Sequence, residues 1–253
     1  MTTPARTGAA TAATSGRARS AFPDFRFAPN LGGRPAVYEL ENRALHQAGH
    51  VLSAMRGLAP WAGRTLVDLG CGSGFWLPVY AAEATRVIGV EPDQVLLGTA
   101  RRRTDGTPAI EAVGGSAEHI PLPADSADVV HARFAYFFPP GTDAGLTEVL
   151  RVLRPGGRLV VVDNDYRWGE FSGLLAASAT RPPAQTAART DQWWAERGAS
   201  RHEVRSELRF GSRADLAAVL HIEFPAEVAA DWLARHPAAT GLSYGYVLFA
   251  VTG

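Results

Sequence analysis

Three glycines at alternate positions, Gly70, Gly72 and Gly74, follow the apolar run Leu66-Val67-Asp68-Leu69, and a carboxylate, Glu91, ends the next such run, Val87-Ile88-Gly89-Val90. A glycine bend puts no Cβ between backbone and ligand. A carboxylate after the neighbouring strand can accept hydrogen bonds from both hydroxyls of a sugar. Together they form the layout that holds a nucleoside. Other residues could act on what is held. His131 has the ordinary pKa of a general base, or it packs against the ligand or bonds to backbone. Arg133, Phe134 and Tyr136 follow on the same segment, as acceptor contacts or as core. Asp163-Asn164-Asp165 could hold a base or a metal, or one of them could cap the next helix. Tyr38, with His46 and His50 nearby, could cover the reacting group or staple a helix to the core. Arg34, after Gly32-Gly33, could bind a carboxylate or stay exposed. Trp168, Trp193 and Trp194 offer flat apolar surface to a substrate, or pack together.

Several chemistries are excluded. A dinucleotide fingerprint starting at Gly70 would need its third glycine at Phe75. A phosphate-binding P-loop needs a lysine, and the chain has none. Cys71 is the single cysteine, so no intrachain disulfide forms, and its place in the glycine loop reads as a small tolerated residue. The 25 arginines balance 25 acidic residues, which disfavours a nucleic-acid binder. No metal site is expected. No apolar run approaches the ~20 residues of a membrane span. Met1 to Ser20 lacks the apolar region of a secretory signal and reads as a disordered tail, so a cytoplasmic protein is expected.

The elements that would position these residues alternate. Strands are expected at Thr65–Leu69, Arg86–Glu91, Ala109–Val113, Ala127–His131 and Arg158–Asp163. Helices are expected at Gly74–Ala82, Asp93–Arg103 with Asp93 as N-cap, and Thr142–Leu153. Ala36 to Leu58 has helical spacing, divided at Gly49. Beyond Asp165, helices are expected at Trp168–Ala179, interrupted by Arg181-Pro182-Pro183, at a short Asp191–Arg197, and at Arg213–His221 and Ala226–His236. Strands are expected at His202–Phe210 and Leu242–Val251. Alternating strands and helices predict an α/β fold: a doubly wound Rossmann-like sheet, mostly parallel with an antiparallel C-terminal strand, plus an N-terminal helical lid and a C-terminal cap. Ligands then bind at the carboxyl edge, near the switch in strand order.

The motif Asp68-Leu69-Gly70-Cys71-Gly72-Ser73-Gly74 resembles the first motif of class I S-adenosylmethionine-dependent methyltransferases. Three further segments match that family in order: Gly89-Val90-Glu91-Pro92-Asp93, Gly115 to Pro123 with Ser126 to Val130, and Leu150 to Leu159. The resemblance spans roughly Leu58 to Asp165 and departs at Ser116, where the family often has an aspartate. It implies S-adenosyl-L-methionine as cofactor, bound through Asp68, Gly70, Cys71, Gly72, Gly74, Glu91, Pro92, Ser116, Ala117, Glu118 and His131. Glu91 would take the ribose diol, Asp68 and the Gly70 and Gly72 carbonyls the methionyl ammonium, Ser116 the adenine amino group, and the Ala117 N–H a ring nitrogen. The expected organisation is a tail over 1–20, a helical lid over 21–63, a cofactor-binding core over 64–165, and a substrate cap with closing strands over 166–253. The expected function is methyl transfer to O or N of a small molecule, in secondary metabolism. His131 would serve as base, and Tyr38, Arg133, Tyr136, Trp168 and Trp193 would line the acceptor site. The expected partner is a small-molecule methyl acceptor, and the expected assembly a homodimer. Two alternatives stay open: a methyltransferase for a peptide, protein or RNA, and a relative that binds the cofactor without transferring its methyl group.

Overall fold

The structure is a computed structural model that describes residues 20–179 and 183–253. All but the last residue of the expected tail, and Arg181-Pro182 of the expected break, lie outside the described residues. Seven strands form one sheet: β1 (Thr65–Leu69), β2 (Arg86–Glu91), β3 (Ile110–Gly114), β4 (Ala127–Arg133), β5 (Leu153–Asn164), β6 (Ser200–Arg209) and β7 (Gly241–Thr252), in the order β3-β2-β1-β4-β5-β7-β6. Strands β1 to β5 run parallel, and β7 runs antiparallel to both β5 and β6. The expected doubly wound sheet with one antiparallel C-terminal strand is the one observed. The order reverses between β1 and β4, which places the ligand crevice at the end of β1.

Side-chain alternation explains why these strands sit inside. Leu66, Val129, Val160, Val162, Tyr246 and Leu248 point into one apolar cluster. Val67, Leu69, Val130, Leu159, Val161 and Phe249 point into the other. A strand apolar on both faces must be covered on both. Helices α1 (Pro29–Gly33), α2 (Pro35–Ala48), α3 (His50–Leu58) and α4 (Leu77–Ala81) precede α5 (Gln94–Thr104) and α6 (Asp143–Val152). After β5 come α7 (Glu170–Ser178), α8 (Pro183–Ala195), α9 (Arg213–Glu223) and α10 (Ala226–Arg235). Gly49, at φ 72°, separates α2 from α3 as the sequence suggests. Glycine adopts that left-handed value without strain. Among the described residues, no helix is long and apolar enough to cross a membrane.

Several boundaries differ from expectation: the short helix expected at Asp191–Arg197 is α8, which starts at Pro183 and ends at Ala195, and two others have a visible cause. The helix after the glycine loop is confined to Leu77–Ala81, because the Gly74 N–H and Leu77 N–H close turns on Cys71 and Gly74 carbonyls first. Strand β5 begins at Leu153 rather than Arg158, as Leu153 itself pairs beside Ala127. Asp93 caps α5 as expected: its Oδ1 accepts from Val95 N at 2.9 Å and Leu96 N at 3.2 Å. Replacing it, as Asp93→Ala, should lower stability by about 1 kcal/mol. The urea midpoint would fall with its slope unchanged; an unmoved midpoint would contradict the capping role.

Candidate functional site

The carboxyl ends of β1 to β5 open into one cavity of about 720 Å³. Its wall takes Leu69 and Gly70 after β1, and Glu91, Pro92 and Asp93 after β2. Ser116, Ala117 and Glu118 follow β3, Phe134 to Tyr136 follow β4, and Asn164 ends β5. Because β7 runs antiparallel, its first residues reach the same edge, and Tyr244 joins the wall.

The glycine loop is held by the strand beside it. Gly70 N and Cys71 N both donate to the Val90 carbonyl, at 2.8 and 3.1 Å. Gly70 has φ 75°, and a Cβ there would lie 2.5 Å from Ala135 Cβ. Gly72 has φ 57°, with Leu31 of α1 closing over it, and a Cβ on Gly74 would meet Ala100 of α5 at 2.9 Å. Each glycine therefore answers a separate close approach: to the β4 loop, to α1 and to α5. Gly72, Gly74 and Cys71 shape the loop from behind the wall, and only Gly70 of the four loop residues Gly70, Cys71, Gly72 and Gly74 faces the cavity. Cys71 is buried, and burial pushes its thiol well above the usual range, so it is no nucleophile.

Glu91 is tied at both oxygens. Oε2 accepts from Gly72 N at 2.8 Å and Oε1 from Asp93 N at 2.9 Å. Each oxygen retains a second lone pair for a ligand donor. Burial pushes the Glu91 carboxyl up to about 7, against the pull of those two N–H groups. Two further acceptors stand orphaned: Asp68 Oδ2 and Ser116 Oγ are buried and meet no hydrogen-bond partner among the described residues. Buried polar groups are normally satisfied. Ser116 lines the cavity and Asp68 lies behind its wall; a nucleoside with an exocyclic amino group would bring a donor to Ser116 and hydroxyls to Glu91, so the lining residues fit S-adenosylmethionine. Arg133 Nη2 lies 3.9 Å from Asp68 Oδ2, too long for a hydrogen bond. Burial raises the Asp68 carboxyl, and the Arg133 charge opposes that rise.

The loop after β4 carries visible backbone strain. Phe134 and Tyr136 have φ 51° and 58°. Such values are rare for aromatic residues. Tyr136 OH donates to Glu118 Oε1 at 2.8 Å and accepts from Gly145 N at 3.1 Å. Strain held by such bonds clusters where ligands are clamped.

Several candidates lie elsewhere. His131 is wholly buried on the face below the cavity, its ring edge-on to Trp61 at 5.3 Å and Tyr80 at 5.1 Å. Burial, helped by the Arg133 charge, pushes its pKa down to about 3. His131 is thus a weak base packed among aromatic rings, and it does not line the cavity. Arg133 also lies behind the wall, its guanidinium 4.3 Å above the Trp76 ring. Trp193 and Trp194 are on the far side of the sheet, where Trp194 stacks on Phe249 at 5.4 Å and Arg197 covers Trp193 at 3.7 Å. Trp168 sits under Arg205 and does not line the cavity. Arg34 is exposed and away from the wall. Asp163 accepts from Asn164 N, and Asp165 from Arg167 N, which closes the turn toward α7. Tyr38 does line the cavity, as does Tyr136. Among the described residues, no group of three or more His, Cys, Asp or Glu side chains could hold a metal.

The sequence reading missed part of the wall. Asp24, Phe25, Phe27, Asn30 and Leu31 enter from the segment before α2, and Asp24 Oδ2 accepts from Glu118 N at 3.2 Å. The run Phe22-Pro23-Asp24-Phe25 of aromatic, proline and acid is unlike the Ala- and Thr-rich stretch before it, and was the available signal. Glu41, Phe171, Leu175, Ile222 and Glu223 complete the opposite end.

Residues 67–161 match the family model described as "Methyltransferase domain". The chain is 34% identical over 112 residues to a demethylmenaquinone methyltransferase of Clavibacter sepedonicus, covering 44% of this chain and 46% of that protein. It is 33% identical over 131 residues to the ubiquinone/menaquinone biosynthesis C-methyltransferase UbiE of Rubrivivax gelatinosus, covering 51% of each. The matches thus span about half the length of these curated relatives. A SAM-dependent methyltransferase from Aquifex aeolicus superposes on 89% of this chain and 98% of its own, with a TM-score of 0.55 and 16% identity, a likeness of fold. Over residues 67–161 the chain is thus similar to a methyltransferase domain, and its fold is that of the solved methyltransferases.

Proposed function

We propose that this protein is an S-adenosylmethionine-dependent methyltransferase that transfers a methyl group to oxygen or nitrogen of a small molecule. One observation carries the reading: the nucleoside cradle at Gly70, Glu91 and Ser116 continues, in the same cavity, into a chamber walled by Phe134, Phe171, Leu175, Ile222 and Tyr244. When bound, the cofactor supplies an electrophilic methyl on a sulfonium. The chain's own work is alignment and exclusion of water. Glu91 takes the ribose hydroxyls, Asp68 the methionyl ammonium, and Ser116 and Ala117 the adenine edge. The lid over 21–63 closes one side and the cap over 166–253 supplies the acceptor's walls. A concave chamber with apolar and aromatic walls suits a small acceptor better than a peptide tail or RNA, which would need a long, charged groove.

The one relative above that is named a C-methyltransferase favours a carbon acceptor, whereas the polar groups at the far end of this chamber favour O or N, whose attached protons need acceptors. Incubation with S-adenosylmethionine and a pool of small amines, phenols and alcohols should give adenosylhomocysteine and acceptors one CH2 heavier by mass spectrometry. Cofactor consumption with no methylated product would oppose transfer; products methylated only at carbon would oppose the choice of atom.

The ribose hydroxyls bond best to ionised Glu91. With that carboxyl at about 7, adenosylhomocysteine affinity should be full above pH 7 and fall about tenfold per unit below it. Calorimetric titrations at pH 8, 7 and 6 check this; a flat profile would contradict it.

A further inference from the structure

The far end of the cavity holds two carboxyls that nothing else in the protein explains. Glu41 comes from α2 in the lid, Glu223 from the last residue of α9, and both line the cavity. The two carboxyls are near enough for each to act on the other's titration. Glu223 Oε1 accepts from Asn30 Nδ2 at 2.8 Å. Glu41 is 8% exposed, and no donor among the described residues reaches its Oε2. The groups that feel the pair's charge are Tyr38 from α2 and Tyr244 and Tyr246 from β7, and Asn30 from α1 bonds to Glu223. Asn164 Oδ1 is taken by the Tyr244 hydroxyl. Among the described residues, neither carboxyl forms an ion pair; the nearest felt positive charge, on Arg133, acts on Tyr38 and is itself committed beside Asp68 and Trp76.

A buried carboxyl, Glu41, and a half-buried one, Glu223, are costly as carboxylates, and burial raises both above the usual range; a bound cation would let them ionise. Glu41 Oε2, buried at the cavity wall, is left as an acceptor without a donor among the described residues. An ammonium offers three donors and no acceptor, and one positive charge. A phenol or alcohol offers a single donor and no charge. The walls beside the pair are apolar and aromatic: Phe171 stacks on Tyr244 at 3.8 Å between ring centres, with Phe134, Leu175 and Ile222 adjoining.

Resting on the methyltransferase reading above, we propose that Glu41 and Glu223 bind and deprotonate the methyl acceptor, a primary or secondary amine carried on an apolar or aromatic body. The acceptor enters as its ammonium, which pairs with the carboxylate. One N–H proton passes to the carboxyl pair and leaves a neutral nitrogen. Its lone pair forms the N–C bond as the C–S bond breaks, with the electron pair staying on sulfur as a neutral thioether. The methylated ammonium keeps its remaining protons, and the proton on the pair returns to water. Lid and cap each bring one carboxyl, so the amine site is complete only when α2 and α9 are packed together.

The test uses the whole protein saturated with adenosylhomocysteine and a calorimetric titration with benzylamine, 2-phenylethylamine and tryptamine, against benzyl alcohol, 2-phenylethanol and tryptophol. The expected result is binding of at least one amine at least tenfold tighter than its alcohol, with that preference lost in Glu41→Gln and in Glu223→Gln. Both variants keep the shape of the pair, and thermal melts establish that they fold. Equal binding of amine and alcohol, no binding of any amine, or a preference that survives both substitutions would overturn the proposal. Adenosylhomocysteine binding to the wild-type protein, measured first, separates the two readings. Its absence sinks the methyltransferase reading, whereas its presence without amine selectivity sinks only the amine.

Discussion

Glu91→Ala should reduce affinity for S-adenosylmethionine or adenosylhomocysteine by a factor of 10² or more, with the fold retained. The carboxylate's two oxygens are each anchored to a backbone N–H, from Gly72 and Asp93, and face the cavity. A ribose diol would add two hydrogen bonds to a charged acceptor, each contributing roughly 1.5–3 kcal/mol. Losing both amounts to about 3–6 kcal/mol, or about 10²–10⁴ in affinity. The substitution also frees the Gly72 N–H, so the loop after β1 loosens toward the cavity. Glu91→Gln separates these effects. It keeps one carbonyl oxygen and the side-chain shape, so it should fall between wild type and alanine. Calorimetry on all three proteins measures this, and an affinity in Glu91→Ala within threefold of wild type would contradict the role.

Gly70→Ala should cost both stability and cofactor binding. The backbone at this position is left-handed, with φ 75°. That conformation costs an L-residue about 1–2 kcal/mol. The new methyl would lie 2.5 Å from Ala135 Cβ, a distance that forces the β4 loop to move. Such overpacking typically costs about 1–3 kcal/mol more. Together these give roughly 2–5 kcal/mol, or a Tm lower by about 4–20 °C for a chain of this size. The displaced loop carries the strained Phe134 and Tyr136, so adenosylhomocysteine binding should weaken even where the protein remains folded. Gly106→Ala is the matched control: its φ is 73°, yet nothing lies within 4 Å of its added Cβ. It should show the backbone cost without the loss of binding. Equal effects from the two substitutions would remove the close approach of β4 as the reason for glycine at position 70.

What the sequence made legible follows the range of the interactions. β1 and β2 fall on their expected residues because both are buried on both faces, so apolar runs mark their ends. The Asp93 cap and the Gly49 break are local signals, carried by one side chain and one backbone angle. Glu91 was legible because it closes the apolar run that forms β2. His131 was misread by type and position, although alternation in β4 puts it on the same side as Val129, inside the cluster of Trp61 and Tyr80. For Trp193 and Trp194 the sequence shows two large apolar rings; which face of the sheet they cover depends on how α8 crosses β6 and β7, a tertiary fact. Glu41 and Glu223 lie near opposite ends of the chain and belong to different helices. No local pattern marks their meeting, and a charged residue in an amphipathic helix reads as a solvated one until its neighbours are known.

The most direct measurement is a calorimetric titration of adenosylhomocysteine into the wild-type protein at pH 8. Saturable binding of one equivalent, accompanied by a rise in melting temperature that grows with ligand concentration, is the predicted result. No heat of binding and an unshifted melt at millimolar ligand would show that the glycine bend and Glu91 do not seat this nucleoside.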